Sequence, residues 1–209
     1  MKNLYWTSAI LLFSCSQLFA HSTWLEKDNK KTYLYFGDFA KGKKEVKRKV
    51  LDKIKPNVEY KVLNDRLEIL KVDQTEDIVT TVVMPPRKIR NSEKLIQTTF
   101  YSRLGRETTS KLLPLDLVSK KPNSNYFTLL YKDKPLQKTK VIVTAPSKWQ
   151  KTFRTSKKGE VSIQTPYKGL YMIEVIHKEA DKQYIYSLTF NVKNGLAWGY
   201  DPNCCKESK

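Results

Sequence analysis

"QYIYSLTFNV", residues 183 to 192, alternates without a break: Tyr184, Tyr186, Leu188, Phe190 and Val192 form one row, and Ile185, Ser187, Thr189 and Asn191 the other. A period of two sustained over this length marks a strand, because successive side chains of an extended chain point to opposite faces. Five large apolar side chains in one row need a second layer to cover them. The segment therefore predicts a strand within a packed sheet.

The stretches before it repeat the pattern. "RTSKKGEVSIQTPYKGLYMIEVIHK" (residues 154 to 178) reads as strand, turn and strand, with Gly159 and Gly169 at turns and Tyr171, Ile173, Val175 and His177 in one row. "NYFTLLYKDKPLQKTKVIVTAP" (residues 125 to 146) does the same, turning at Asp133 to Pro135. Short strands at this spacing, with no helical period between them, predict an antiparallel β-sandwich of the immunoglobulin or transthyretin kind. Further upstream, "KTYLYFG", "VEYKV", "RLEIL", "DIVTTVVM" and "LIQTTFYS" also read as strands, and the Pro, Asn and Ser cluster from Pro122 to Asn125 reads as a linker. The expected architecture is all-β with two β-sandwich-like domains, a less regular one over residues 21–119 and an immunoglobulin/transthyretin-like one over 120–193, followed by a tail at 194–209.

The first twenty residues have a different character. Met1 and Lys2 give a positive start and Leu4 to Phe13 an apolar run of export-signal length, so residues 1–20 are expected to be a signal peptide and the protein periplasmic. Two processing outcomes stay open. A cut after Ala20 leaves His21 as the amino terminus, whereas "LFSC", Leu12 to Cys15, resembles a lipobox that would keep and lipidate Cys15. The other cysteines, Cys204 and Cys205, are neighbours in a polar tail and cannot staple distant parts of the chain, so the fold must rest on its apolar core.

Lysine and arginine outnumber aspartate and glutamate by 39 to 21, a net charge of +18. For an exported protein this balance points to the anionic surfaces of the envelope and away from nucleic acid. The densest run, Lys41 to Lys55, has Val46, Val50, Leu51 and Ile54 interleaved and is expected to be a solvated face over one apolar stripe.

In order along the chain, "AHSTWLE", "YLYFGD", "LIQTTFYS", "LPLDLV", "YKDKPLQKTKVIVTAP", "TSKKGEVSIQTPYKGLYMIEVIHKE" and "YSLTFNV" resemble the exported bacterial domain-of-unknown-function 4198 proteins, often labelled nickel-uptake or NikM-like. The resemblance implies a periplasmic protein that handles transition metals, with a metal transporter or an outer-membrane receptor as partner. Two departures bear on any ligand pocket: the lysine richness of residues 41 to 55, and "YSRLGRETTSK" (101 to 111), which is poorer in aromatics than the family pattern.

The whole chain holds two histidines, His21 and His177. An amino-terminal histidine offers its α-amine and ring Nδ1 to one metal, and a second imidazole would complete a three-nitrogen site suited to Cu(II) and acceptable to Ni(II). His21 and His177 are therefore the expected metal ligands. Glu26, Glu174, Glu179 and Asp181 could orient a ligand, although Glu174 lies an odd number of residues from His177 and should face the other way. The plainer readings are a hydrogen-bonded histidine at a strand end, and Trp24, Tyr33 and Tyr35 as core. No phosphate loop, nucleophile elbow or zinc-protease helix occurs, so the expected function is non-catalytic. Two classes remain: a periplasmic metal-binding accessory protein using copper or nickel, and a basic envelope scaffold or adhesive without metal.

Overall fold

The computed structural model describes residues 21–71, 77–89 and 92–193. The expected signal peptide with Cys15 and Ala20, and the tail with Cys204 and Cys205, lie outside the described residues. The rest is an all-β protein with a single helical turn, α1 (Arg48–Leu51). Strands β1 (Ser22–Asp28), β2 (Lys31–Asp38), β3 (Lys43–Lys44), β4 (Tyr60–Val62) and β5 (Leu67–Ile69) form one sheet in the order β1-β2-β5-β4, with β3 beside β2. Then come β6 (Ile78–Val83), β7 (Arg87–Lys88), β8 (Leu95–Leu104), β9 (Leu115–Ser119), β10 (Tyr126–Tyr131), β11 (Lys134–Pro135), β12 (Lys140–Thr144), β13 (Gln150–Arg154), β14 (Glu160–Ser162), β15 (Gly169–Glu179) and β16 (Lys182–Val192). The largest sheet runs β13-β12-β15-β16-β8-β6, with β7 beside β8, and β9, β11 and β14 pair with β10 in a third sheet.

The large sheet is the middle layer, and the alternation of its strands explains why both faces are covered. Tyr184, Tyr186, Leu188, Phe190 and Val192 of β16, with Tyr171, Ile173 and Val175 of β15, pack against Leu115, Leu117, Phe127, Leu129 and Val161 of the β9–β10–β14 layer. Ile185 and Ile176, on the opposite face, join Leu25, Leu34, Phe36, Leu67 and Phe100 beneath the β1–β5 sheet. A third cluster gathers Trp24, Tyr33, Tyr35 and Phe39 with Met172. The core reading of those first three aromatics holds: all are buried.

The β1–β5 sheet lies edge-on to the middle layer. Hydroxyls of Ser187 and Thr189 donate to the carbonyl oxygens of Thr23 and Leu25, and the Thr23 and Ser102 hydroxyls share a bond of 2.7 Å. Small polar residues on β16 and β8 thereby satisfy backbone oxygens on an edge strand that would otherwise be buried unpaired. In the lysine-rich run, Leu51 and Ile54 are buried while Lys43, Lys44, Lys47, Lys49, Lys53 and Lys55 are exposed, the arrangement its spacing predicts; Val46 departs from it and stands in solvent.

Strand pairing crosses residue 120. β8 from the first half runs parallel to β16, from Lys182↔Gln97 to Thr189↔Leu104, and β9 pairs with β10. The Pro122–Asn125 cluster, expected as a linker, is instead the tight turn between β9 and β10, where Asn123 takes a φ of 59° and the Ser119 hydroxyl donates to the Lys121 carbonyl at 2.7 Å. Its composition is that of a turn and of a linker alike, and only the pairing of β9 with β10 separates the two.

An unforeseen ionic cluster ties the same region together. Arg103 on β8 is fully buried and donates to both oxygens of Asp116 at 3.0–3.1 Å and to Asp77 at 2.6 Å, while the Tyr186 hydroxyl donates to Asp116 at 2.9 Å. Asp77 also accepts backbone N–H groups of Glu107 and Thr108, and Asp116 that of Leu112. Every charge in the cluster has a partner, the condition under which ions survive burial.

Candidate functional site

His177 sits near the end of β15, on the face toward the β9–β10–β14 layer. Its ring lies 4.3 Å from that of Tyr131 and 6.2 Å from that of Tyr184. The Tyr131 hydroxyl donates to Glu179 at 2.7 Å, and Lys132 pairs with the same carboxylate at 2.8 Å. Burial lowers the His177 pKa, Glu179 acts in the other direction, and Lys132 adds to the lowering. His177 thus lies among aromatic rings at a strand end, beside the Tyr131–Glu179–Lys132 cluster.

His21 immediately precedes β1, on the other side of the middle sheet. Its exposed ring stacks on Phe36, with centroids 5.2 Å apart and planes 25° from parallel. There it opens onto a cavity of about 570 Å³ between the β1–β5 sheet and the middle sheet. One wall is built from Ser22, Phe36, Asp38 and Phe39; the other from Ile142, Met172, Glu174, Ile176 and Ile185, the face of β12, β15 and β16 turned away from His177. Lys41, Lys53 and Arg87 line it too, and all three are exposed.

The expected pairing of His21 with His177 is therefore corrected. Alternation along β15 sends His177 and Glu174 to opposite faces, and the face that carries Glu174 is the one His21 borders. The two imidazoles are separated by the middle sheet, and a shared three-nitrogen site within one chain is not formed. Of the other acidic residues, Glu26 accepts from the Trp24 indole at 2.7 Å, Glu179 is held by Tyr131 and Lys132, and Asp181 is in the turn between β15 and β16; none lines the cavity.

Glu174 has the most unusual environment of the cavity-lining groups. Enclosure by the two sheets pushes its carboxyl up to about 7; a hydrogen bond from the Ser22 side chain opposes this and the like charge of Asp38 adds to it. Asp38 itself is engaged by Lys41, through the ammonium at 3.0 Å and the backbone N–H at 3.1 Å. A carboxyl held this far above its usual range lacks a compensating positive charge. Among the described residues, no three His, Cys, Asp or Glu side chains come close enough to hold a metal by themselves. A site at His21 would thus need a donor that is not a side chain, and the α-amine of a processed His21 is one.

Alternation along β15 gives the face of Glu174, but what that face meets is set by residues far away in the chain. Asp38, Lys53 and Arg87 carry no local signal at all, since only the stacking of sheets brings them to the same space. No family model matches the chain, and no curated protein or solved structure matches it either.

Proposed function

We propose that the protein is an exported, non-catalytic transition-metal-binding accessory, active in metal uptake or handling, that holds Cu(II), or less tightly Ni(II), at the His21 end of the cavity. The donors are the α-amine and ring of a His21 freed by cleavage after Ala20, together with the Glu174 carboxylate. His177 takes no part. The observation that carries this reading is the cavity that His21 and Glu174 line together, where enclosure also raises the Glu174 carboxyl to about 7. A half-buried carboxylate enclosed between two sheets is stabilised by a cation, and a divalent ion beside His21 would supply one. Copper should exceed nickel because nitrogen and oxygen donors follow the Irving–Williams order. The proposal extends to delivery of the ion to a transporter or outer-membrane receptor, and to an immunoglobulin/transthyretin-like kinship for the C-terminal sandwich.

The test is copper titration with electron paramagnetic resonance on four proteins: one starting at His21, one carrying an extra residue before it, Glu174→Gln and His177→Ala. The first and last should bind one Cu(II) alike, while the extended start and Glu174→Gln should each weaken binding at least tenfold, the scale of losing a ligand or its support. Equal binding by all four sinks the site. Absence of copper binding by all four leaves the basic scaffold without metal, which the net charge of +18 favours.

A further inference from the structure

Two turns stand side by side at the end of the middle sheet where β15 begins. One joins β12 to β13 and is closed by backbone bonds from Ala145 to Trp149 and from Lys148 to Ala145, at 2.8 and 2.9 Å. It leaves Trp149 56% exposed. The other, Pro166 to Lys168, is held by the Tyr171 hydroxyl, which accepts from the Tyr167 N–H at 2.8 Å, and it leaves Tyr167 54% exposed. They are neighbours because a Cβ on Gly169 would come within 2.9 Å of the Pro146 ring. The β2–β3 hairpin reaches the same end, where the Lys148 ammonium lies 3.7 Å from the centre of the Phe39 ring. Lys43, which begins β3 beside that hairpin turn, and Lys168, in the second turn, are both exposed.

The chemistry of this end is particular. Both exposed rings join an apolar body to a polar N–H or O–H, and each projects singly from a turn whose backbone is already bonded. Such rings favour the boundary between water and lipid headgroups, and lysines beside them favour an acidic leaflet. A protein partner would call instead for a contiguous apolar patch around a central pocket. We propose that this end of the molecule docks on an anionic phospholipid surface, Trp149 and Tyr167 entering the headgroup layer and Lys43 and Lys168 facing its negative charge. The +18 net charge attracts the protein and the two rings set its orientation. The docking does not depend on metal.

Vesicle sedimentation tests it, with phosphatidylcholine alone and with phosphatidylcholine plus phosphatidylglycerol. The protein should pellet with the acidic vesicles at low salt and be released as salt rises, because the Debye length falls to about 8 Å at physiological ionic strength. Trp149→Ser with Tyr167→Ser should weaken binding roughly tenfold, given the interfacial preference of these rings. Leu95→Ser should leave it unchanged: Leu95 is also exposed, but at the opposite end of the sheet, beyond the Lys182↔Gln97 pair. Thermal unfolding of each variant verifies the fold, and Trp149→Phe, which keeps a ring, should retain most of the binding. Equal pelleting with neutral vesicles, an unaffected double variant, or no pelleting with either vesicle would overturn the proposal, the last result pointing to a protein partner.

Discussion

Glu174 makes the cavity visible to a titration. Its folded pKa of about 7 stands above the ordinary carboxyl value, so between the two the folded chain binds more proton than the unfolded one. Stability must then fall as pH rises from about 4.5 toward 7, the reverse of the usual carboxylate, and Glu174→Gln should stabilise the metal-free protein above pH 7 by the order of 2 kcal/mol. Denaturant melts of both proteins at pH 5 and pH 8 would show it, and a variant no more stable at pH 8 than the parent would contradict the burial argument. The result also guards the metal test: a protein that loses copper while gaining stability has not lost it by unfolding. Arg103 is the opposite case, a buried ion with every bond made. Arg103→Met should cost about 3–5 kcal/mol, because Asp77 and Asp116 would remain buried without their cation; a loss under 1 kcal/mol in urea unfolding would show that the carboxylates find water.

Alternation is a local property, and the elements it governs were legible. The rows read from residues 183 to 192 and from 171 to 177 are rows that pack, and in "KTYLYFG", read as a strand, Leu34 and Phe36 pack on one side and Tyr33 and Tyr35 on the other. Pairing partners are not a local property. Nothing in "LIQTTFYS" announces a parallel neighbour some eighty residues later, and nothing in Ser187 or Thr189 announces that an edge strand will rest on them. The same limit explains the candidate site. The direction of Glu174 followed from counting along β15, but the arrival of His21 on that face depends on how the β1–β5 sheet sits across the middle layer. The hydroxyls of Ser187 and Thr189 are the elements' own test of that seating. Ser187→Ala with Thr189→Val should cost about 1–3 kcal/mol in total, through two orphaned carbonyls, and should raise amide exchange in β1 above that in β10. Equal protection of both strands after the substitutions would mean that apolar packing alone seats the sheet.

At the scale of the molecule, the boundary near residue 120 predicts two domains that melt apart, and the pairing predicts one. The middle sheet takes β6 and β8 from the first half and β12, β13, β15 and β16 from the second; β9, before the boundary, completes the layer around β10. Cutting at 120 would strip β16 of its parallel neighbour and expose the β10 edge that β9 covers. It would also divide the Arg103 cluster, leaving Tyr186 without Asp116. A fragment of residues 120–193 should therefore remain unfolded or associate through its bare edges, as unpaired strands do, while the intact chain unfolds in one cooperative step with matching calorimetric and van't Hoff enthalpies. Calorimetry on the chain and far-ultraviolet circular dichroism on the fragment decide between the two. A second transition, or a monomeric fragment with a native-like β spectrum, would restore the two-domain reading. A single transition would also mean that the His21 cavity and the Arg103 cluster, on opposite faces of the same sheet, are lost together when its strands part.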